Sequence, residues 1–167
     1  IATARRTDRL KRLHDALGDA LLPLAMDVAD PASIENAFRQ LPEAWRPIDV
    51  LVNNAGLALG TEPAQQCSLA EWHTMIDTNI KGLVGLTHRL LPDMLARNSG
   101  LIINIGSIAG NTPYPGGNVY GGTKAFVEMF TRNLRADLAG TGVRASNIAP
   151  GLCGGTEFSN IRYRGDD

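Results

Sequence analysis

The sequence predicts an α/β fold in which a doubly wound parallel sheet lies between two layers of helices, a three-layer α/β/α arrangement. Short apolar segments alternate with longer segments whose apolar residues recur at helical spacing, and the segment Leu101 to Ile105 is almost entirely apolar. Strands that alternate with helices form parallel sheets, and a strand without polar alternation is expected to be buried on both faces. We therefore expect a single domain over residues 1–167, without internal repeats or linkers.

Local signals mark the first elements. Thr7 precedes and Gly18 follows a run of leucines at helical spacing, as expected at the start and stop of a short amphipathic helix. Ile1 to Ala4 is then the end of a strand, and the apolar residues 21–26 form the next strand. A helix from Pro31 to Leu41 follows, since proline is favoured in the first turn of a helix.

The remaining elements keep the same alternation. Residues 48–53 form an apolar strand, and a long helical pattern covers residues 69–95. After the strand at 101–105, the helical period returns over residues 119–138. Residues 143–149 provide a last, more polar strand.

The composition is that of an ordinary globular domain, with 44% hydrophobic residues, 20% charged residues and a net charge of −1. This balance excludes a strongly basic surface for nucleic acid or anionic membranes and leaves a small-molecule metabolite as the expected partner. No apolar segment reaches the roughly 18 residues that span a bilayer, and no signal-peptide pattern is present, so we expect a cytoplasmic protein. Cys67 and Cys153 lack metal-ligand spacing, so we expect reduced thiols and no metal site.

One feature of such sheets is missing from the sequence. A dinucleotide pyrophosphate normally rests on a glycine-rich turn after the first strand, and no such turn occurs near Ile1. We therefore expect the sheet to be incomplete at both ends, with a unit of about 30 residues lacking at the start. A truncated, non-catalytic fold fragment remains one hypothesis for this chain.

Tyr120 and Lys124 are four positions apart at the start of a predicted helix, so both side chains project from the same face. A phenol can protonate a carbonyl oxygen, but its ordinary pKa of about 10 is high for proton exchange near neutral pH. One ammonium about 4 Å away, at an effective dielectric near 20, supplies roughly 4 kcal/mol, enough to lower that pKa by about three. The alternative is a packed tyrosine with a solvated lysine one turn later.

Two further polar segments follow predicted strands, at the sheet edge where α/β proteins bind ligands. Ser107 comes after the strand that ends at Ile105, and its hydroxyl could hold a substrate oxygen beside Tyr120. Asn53 to Gly56 follows the strand at 48–53, and its glycine permits a close approach of the backbone to a ligand. The alternative for both segments is an ordinary turn.

Taken together, these residues resemble the short-chain dehydrogenase/reductase family, whose members have a Rossmann-like fold. The resemblance covers almost the whole chain, and its motifs occur in the family's order and at family-like spacing: Asp27-Val28, NNAG at Asn53 to Gly56, Asn79, Ser107, YxxxK at Tyr120 to Lys124, and Pro150-Gly151.

The resemblance implies a nicotinamide-dependent oxidoreductase with a Ser-Tyr-Lys-Asn catalytic site. Tyr120 would be the general acid/base, and Lys124 would lower its pKa and bind the nicotinamide ribose. Ser107 would orient the substrate beside Tyr120, and Asn79 would hold a water in the proton relay. Hydride transfer belongs to the cofactor.

The resemblance also implies three groups of cofactor contacts. Asp27 and Val28 would contact the adenine end, although Asp27 also suits a helix cap near Pro31. The adjoining ribose would be contacted by Asn54, Ala55 and Gly56. The nicotinamide side would be contacted by the segment after the last strand: Pro150, Gly151, Leu152, Cys153, Gly154, Gly155, Thr156, Glu157 and Phe158.

Ala4-Arg5-Arg6 predicts NADP as the cofactor. An acidic residue after the second strand of this fold binds the ribose of NAD, whereas arginine accommodates the 2′-phosphate of NADP. We expect Arg5 and Arg6 to surround that phosphate. The alternative is a pair of solvated arginines at the start of a helix.

Longer strings, among them ATARRTDRLKRL and GGNVYGGTKAFV, resemble a bacterial subgroup of NADP-dependent 3-hydroxy acid dehydrogenases. That resemblance implies L-allo-threonine, serine, related 3-hydroxy acids and malonic semialdehyde as substrates. Arg162 and Arg164 are candidates to bind the carboxylate, because guanidinium binds carboxylate through two hydrogen bonds; the alternative is that both face solvent. Other reductases of the family, acting on 3-oxoacyl thioesters or sugars, are the competing assignment.

Two departures from the family pattern are visible. The TGxxxGxG phosphate loop is absent, and Thr156 lies one position further from Pro150-Gly151 than is usual. The apolar stripes of the helices at 69–95 and 119–138 exceed what one sheet face needs. Because the corresponding helices pair between subunits in the family, we expect a homotetramer or dimer.

Overall fold

The strands of the molecule run parallel wherever they pair. In the computed structural model, which describes residues 1–152, 157–163 and 165, one sheet has the order β1-β2 and the other β3-β4-β5. The α/β class with parallel strands is as predicted from the alternation of strands and helices. The strands are β1 (Ala2–Ala4), β2 (Pro23–Ala25), β3 (Val50–Asn53), β4 (Gly100–Ile105) and β5 (Val143–Ile148).

Most helix ends lie close to the predicted residues, whereas the short helix Glu157–Arg162 was not predicted. Side-chain caps fix two of the starts: Asp30 accepts a hydrogen bond from the Ala32 backbone N–H, and Ser68 from that of Glu71. None of the helices in the described ranges combines the length and apolarity needed to cross a bilayer. The helices are α1 (Thr7–Leu17), α2 (Pro31–Gln40), α3 (Leu69–Ile76), α4 (Leu83–Ala96), α5 (Asn118–Asp137) and α6 (Glu157–Arg162).

The main core lies between β4 and the helices around it. Ile102 of β4 is fully buried, as is Met94 of α4, and both belong to one cluster with Leu134 of α5. The prediction that this strand is buried on both faces is wrong in detail. Only alternate residues are buried, and Leu101, Ile103 and Ile105 are half-buried.

The two sheets do not join through backbone hydrogen bonds within the described residues, whereas the sequence predicts one sheet. A cavity of about 330 Å³ lies between them, lined on one side by Thr3 of β1 and on the other by Val50 and Val52 of β3. Both valines are about half exposed. The facing edges of β1 and β3 therefore border an apolar groove.

The segment predicted as one helix over 69–95 is interrupted by a wider, π-helical turn at Asp77–Gly82 between α3 and α4. Such a turn contains an extra residue and is frequently found at functional sites. Asn79 and Gly82 are buried in it. A Cβ at Gly82 would lie 2.8 Å from a methyl carbon of Val28, so only glycine allows this approach.

The parallel register brings the loops that follow the strands to one edge of the larger sheet. Asn53 is paired with Asn104, and Asn104 with Asn147, so β3, β4 and β5 end side by side. The segments that follow these strands contain Gly56, Ser107 and Pro150. This edge therefore gathers most of the predicted site.

Candidate active site

Tyr120 and Lys124 lie next to each other on the first turns of α5, as the four-residue spacing predicts. Each is only 7% exposed. The Lys124 ammonium donates a 2.8 Å hydrogen bond to the Ile105 carbonyl at the end of β4 and lies 5.8 Å from the centre of the Tyr120 ring. The end of β4 thereby holds the ammonium beside the phenol.

Burial lowers the pKa of Lys124 from 10.5 to about 8. Desolvation disfavours the charged form, and the carbonyl of Ile105 is a neutral acceptor that compensates only in part. The ammonium is still the main form at neutral pH, but it can lose its proton a short way above it. The structure therefore places a readily titrated lysine in the site.

Ser107 lies in the loop after β4 and caps the short 3-10 turn Ile108–Gly110. Its hydroxyl oxygen accepts a 3.1 Å hydrogen bond from the Ala109 backbone N–H. The same hydroxyl lies near Tyr120 and lowers the pKa of its phenol. Ser107 and Tyr120 are thus brought together as predicted.

A close backbone contact fixes the distance between this loop and α5. A Cβ added to Gly110 would lie 2.8 Å from both the Ala125 amide nitrogen and the Lys124 carbonyl carbon. Any side chain at this position would push the loop away from the helix. Gly110 therefore sets how near Ser107 comes to Tyr120.

The pKa of Tyr120 is raised, which differs from the prediction that Lys124 would lower it. Burial is the largest cause, and the nearby Ser107 hydroxyl and the positive charge of Arg162 oppose it. Lys124 does not lower the pKa of Tyr120 here, because its ammonium donates to the Ile105 carbonyl and lies 5.8 Å from the centre of the Tyr120 ring. In this arrangement the phenol keeps its proton at neutral pH.

The Asn79 side chain clamps the segment that follows β3. Its Oδ1 accepts from the Leu57 backbone N–H at 2.9 Å, and its Nδ2 donates to the Leu57 carbonyl at 2.9 Å and to the Thr123 hydroxyl at 3.1 Å. Both N–H donors of the amide are therefore used within the protein, and its oxygen can accept one more hydrogen bond. The contact with Thr123, one residue from Lys124, links the π-helical turn to α5.

The glycine of the NNAG segment approaches this cluster closely. A Cβ at Gly56 would lie 3.4 Å from both the Asn79 side-chain oxygen and the Lys124 ammonium nitrogen. Asn54, Ala55 and Gly56 are all exposed. The segment thus offers open backbone immediately beside the lysine, and its contact with a ribose stays a prediction.

Asn53 of the same motif points into the protein. Its Nδ2 donates to the Asn104 side-chain oxygen at 2.8 Å and to the Thr87 hydroxyl at 3.1 Å, and Asn104 donates in turn to Thr131 at 2.9 Å. This buried network ties the ends of β3 and β4 to helices α4 and α5. Asn104 was missed in the sequence, although it is the only polar residue in the apolar run Leu101 to Ile105.

Arginines cluster at the start of α1, where the 2′-phosphate is predicted. Arg6 forms an ion pair with Glu157 at 2.9 Å, and Arg9, which sequence reasoning missed, binds the same carboxylate. Arg5 is exposed. Glu157, predicted to contact the nicotinamide side, lies between these two cations, and the next residue, Phe158, lies against Tyr120.

Asp27 and Val28 follow β2, as predicted. The Asp27 carboxylate accepts a 2.9 Å hydrogen bond from the Ala29 backbone N–H, while Asp30, not Asp27, caps α2. The helix-cap alternative for Asp27 is therefore excluded. Val28 packs against Gly82 of the π-helical turn.

The last described segment lies against Tyr120. The Phe158 ring is 5.7 Å from that of Tyr120, and the Arg162 guanidinium lies 5.5 Å from the Tyr120 ring centre. Pro150 accepts a 3.2 Å hydrogen bond from the Ile108 backbone N–H. Gly151 and Leu152 are exposed; the predicted contacts Cys153, Gly154, Gly155 and Thr156, and the candidate Arg164, lie outside the described residues.

Comparisons with known proteins agree with this arrangement. The family model described as short chain dehydrogenase matches residues 1–165. The chain is 62% identical over 167 residues to a probable NADP-dependent dehydrogenase of Haemophilus influenzae, covering 100% of this chain and 66% of that protein. It is 60% identical over 167 residues to the NADP-dependent 3-hydroxy acid dehydrogenase of Escherichia coli strain K12, covering 100% and 67%.

A solved structure extends the similarity to three dimensions. The closed form of a serine dehydrogenase complexed with NADP⁺ matches with a TM-score of 0.97 and 60% identity, over 99% of this chain and 66% of that one. The chain spans about two thirds of the length of the relatives it matches. On this family match and these identities, the chain belongs to the short-chain dehydrogenase family.

Proposed function

We propose that the protein containing this chain transfers hydride between NADP(H) and a small 3-hydroxy or 3-oxo acid, with Ser107, Tyr120 and Lys124 at its centre. The observation that carries the proposal is that Ser107, a buried Tyr120 and a buried Lys124 lie together at the end of β4. The names of the relatives support the cofactor and the substrate class.

The residues present fit NADP. Arg5, Arg6 and Arg9 would supply cations for the 2′-phosphate, which would compete with Glu157 for Arg6 and Arg9. The exposed backbone beside Gly56 lies next to Lys124. When bound, NADP accepts or donates the hydride. The pyrophosphate would need further donors, because no glycine-rich turn of the TGxxxGxG type is found in the sequence.

The protein's own residues supply the proton. Tyr120 holds it on the phenolic oxygen, since its raised pKa favours the neutral form, and would donate it to a substrate carbonyl oxygen held by the Ser107 hydroxyl. In the oxidising direction the same oxygen would accept the proton of the substrate hydroxyl. Ala58, Met75 and Phe158 surround the Tyr120 ring and keep water from it.

Tyr120→Phe tests the proposed chemistry in the active enzyme. The change removes only the hydroxyl, so we expect kcat to fall by about 10²- to 10⁴-fold while NADPH binding, followed by fluorescence, is retained. Tyr163→Phe is the matched control, since it removes an exposed phenol hydroxyl and should leave kcat unchanged. Near-normal turnover by the Tyr120 variant would refute the proposal.

The cofactor assignment has its own test. Replacing Ala4 by Asp and Arg5 by Ala should weaken NADPH binding and turn the preference towards NADH, because the carboxylate repels the 2′-phosphate. Arg12→Ala, on the exposed face of α1, is the control. A preference for NADPH that survives the double change would contradict the role of Arg5.

We also propose a cytoplasmic location and a homo-oligomer, a tetramer or dimer. The Cys67 thiol donates to the Glu62 carbonyl at 3.3 Å and is a free thiol, which suits a reducing compartment. Leu69 and Met129 are more than half exposed on helices α3 and α5, which supports helix pairing between subunits. Analytical ultracentrifugation tests the assembly.

A further inference from the structure

Arg162, at the end of α6, lies within cation–π distance of the tyrosine rings around the reacting phenol. Its guanidinium carbon lies 5.2 Å from the centre of the Tyr114 ring and 5.5 Å from that of Tyr120. The residue is half-buried, and its backbone carbonyl accepts a hydrogen bond from the Gly60 N–H at 3.3 Å. A cation is thus held over the face of the catalytic tyrosine.

Arg162 also has no anionic partner among the described residues. Among the described residues no carboxylate lies within ion-pair distance of its guanidinium, whereas Arg6 and Arg9 share one. Its Nε and the Tyr114 hydroxyl are both buried without a hydrogen-bond partner in the described parts of the chain. Buried polar groups are normally paired, and unpaired ones in a native structure point to a bound molecule or ion.

We propose that Arg162 binds the substrate carboxylate and selects 3-hydroxy acids over neutral alcohols; this rests on the proposed function. Three bonds of roughly 1.5 Å separate the 3-hydroxyl oxygen from the carboxylate carbon, so the two ends of the substrate lie within about 4 Å of each other. An oxygen held by Ser107 and Tyr120 therefore places the carboxylate within reach of the guanidinium above the Tyr120 ring.

Guanidinium suits this role chemically. It presents five N–H donors in a fixed planar fork and can stack on a ring while its edge binds a carboxylate through two hydrogen bonds. The rings of Tyr114 and Tyr120, both within 6 Å of the guanidinium carbon, restrict where the cation can move, so less conformational freedom is lost on binding. The Tyr114 hydroxyl is a further donor beside it.

The test compares an acid with its neutral ester in the active enzyme. We measure kcat/KM for 3-hydroxybutanoate and methyl 3-hydroxybutanoate with Arg162→Met, Arg162→Lys and the matched control Arg39→Met, an exposed arginine at the end of α2. NADPH binding is followed in parallel as a measure of folding.

We expect Arg162→Met to lower kcat/KM for the acid by about 10- to 100-fold and to change that for the ester little, because the ester carries no charge. Arg162→Lys should retain part of the preference for the acid over the ester, and Arg39→Met should retain all of it. Equal losses for acid and ester, with a displaced pH profile, would show that Arg162 acts through Tyr120 and would overturn the assignment. An enzyme that turns over neither compound with NADP(H) would instead overturn the proposed function.

Discussion

Replacing Lys124 by methionine should stabilise the protein while abolishing its activity. The ammonium is buried and its pKa is lowered from 10.5 to about 8, which corresponds to a penalty of roughly 3 kcal/mol for keeping the charge in the fold at pH 7. Methionine has a similar length and no charge. It loses the hydrogen bond to the Ile105 carbonyl, worth about 1 kcal/mol, so the net gain is about 2 kcal/mol.

The sign of the pH dependence follows from the direction of the pKa change. Below about pH 8 folded and unfolded chains both carry the proton, and the full penalty destabilises the wild type. Between about pH 8 and 10.5 the unfolded chain binds more protons than the folded one, so the wild type gains stability as the pH rises. The advantage of the variant should therefore shrink across this window.

Urea denaturation at pH 7, 8, 9 and 10 measures the effect, and thermal unfolding at pH 7 should show a rise in Tm of about 4–8 °C. Lys11→Met is the matched control, because Lys11 is exposed on α1 and pairs with the exposed Asp15. We expect no pH-dependent gain for it. A Lys124 variant that is no more stable than the wild type at pH 7, or whose advantage is the same at every pH, would refute this account of the buried charge.

Three further predictions follow from contacts of the site. Gly110→Ala should lower kcat and destabilise the fold by about 1–3 kcal/mol, since its Cβ would collide with the α5 backbone; circular dichroism melts and steady-state kinetics check this. Glu157→Gln should tighten NADPH binding several-fold at low salt and leave NADH binding unchanged, because Arg6 and Arg9 lose a competing carboxylate. Asn79→Ala removes three hydrogen bonds and should cost about 2–3 kcal/mol in urea denaturation.

The spacing of apolar residues and the local start and stop signals were sufficient to predict most helices and strands. The strand at Leu101 to Ile105 and the helix over 119–138 are found within a residue or two of their predicted ends. These signals work because a buried strand and an amphipathic helix impose different spacings on their apolar residues. The same spacing placed Tyr120 and Lys124 on one helix face.

The sequence pattern does not predict contacts between residues that are far apart in the chain. The pairing of Arg9 with Glu157 joins residues 148 positions apart, and no local spacing indicates it. The pKa of Tyr120 depends on its burial and on Arg162, neither of which follows from a YxxxK spacing. Periodicity also continued unbroken through residues 69–95, so it gave no sign of the change in helix type at Asp77–Gly82.

The π-helical turn makes this part of the protein sensitive to the number of residues and not only to their identity. Each residue advances a helix by about 100°, so deleting one residue within Asp77–Gly82 would rotate α3 against α4 by that angle. Either Met75 would leave its pocket beside Tyr120, or Leu86 and Leu90 would leave the main core. We therefore expect this stretch to tolerate substitutions at exposed positions such as Lys81 while rejecting any single-residue insertion or deletion.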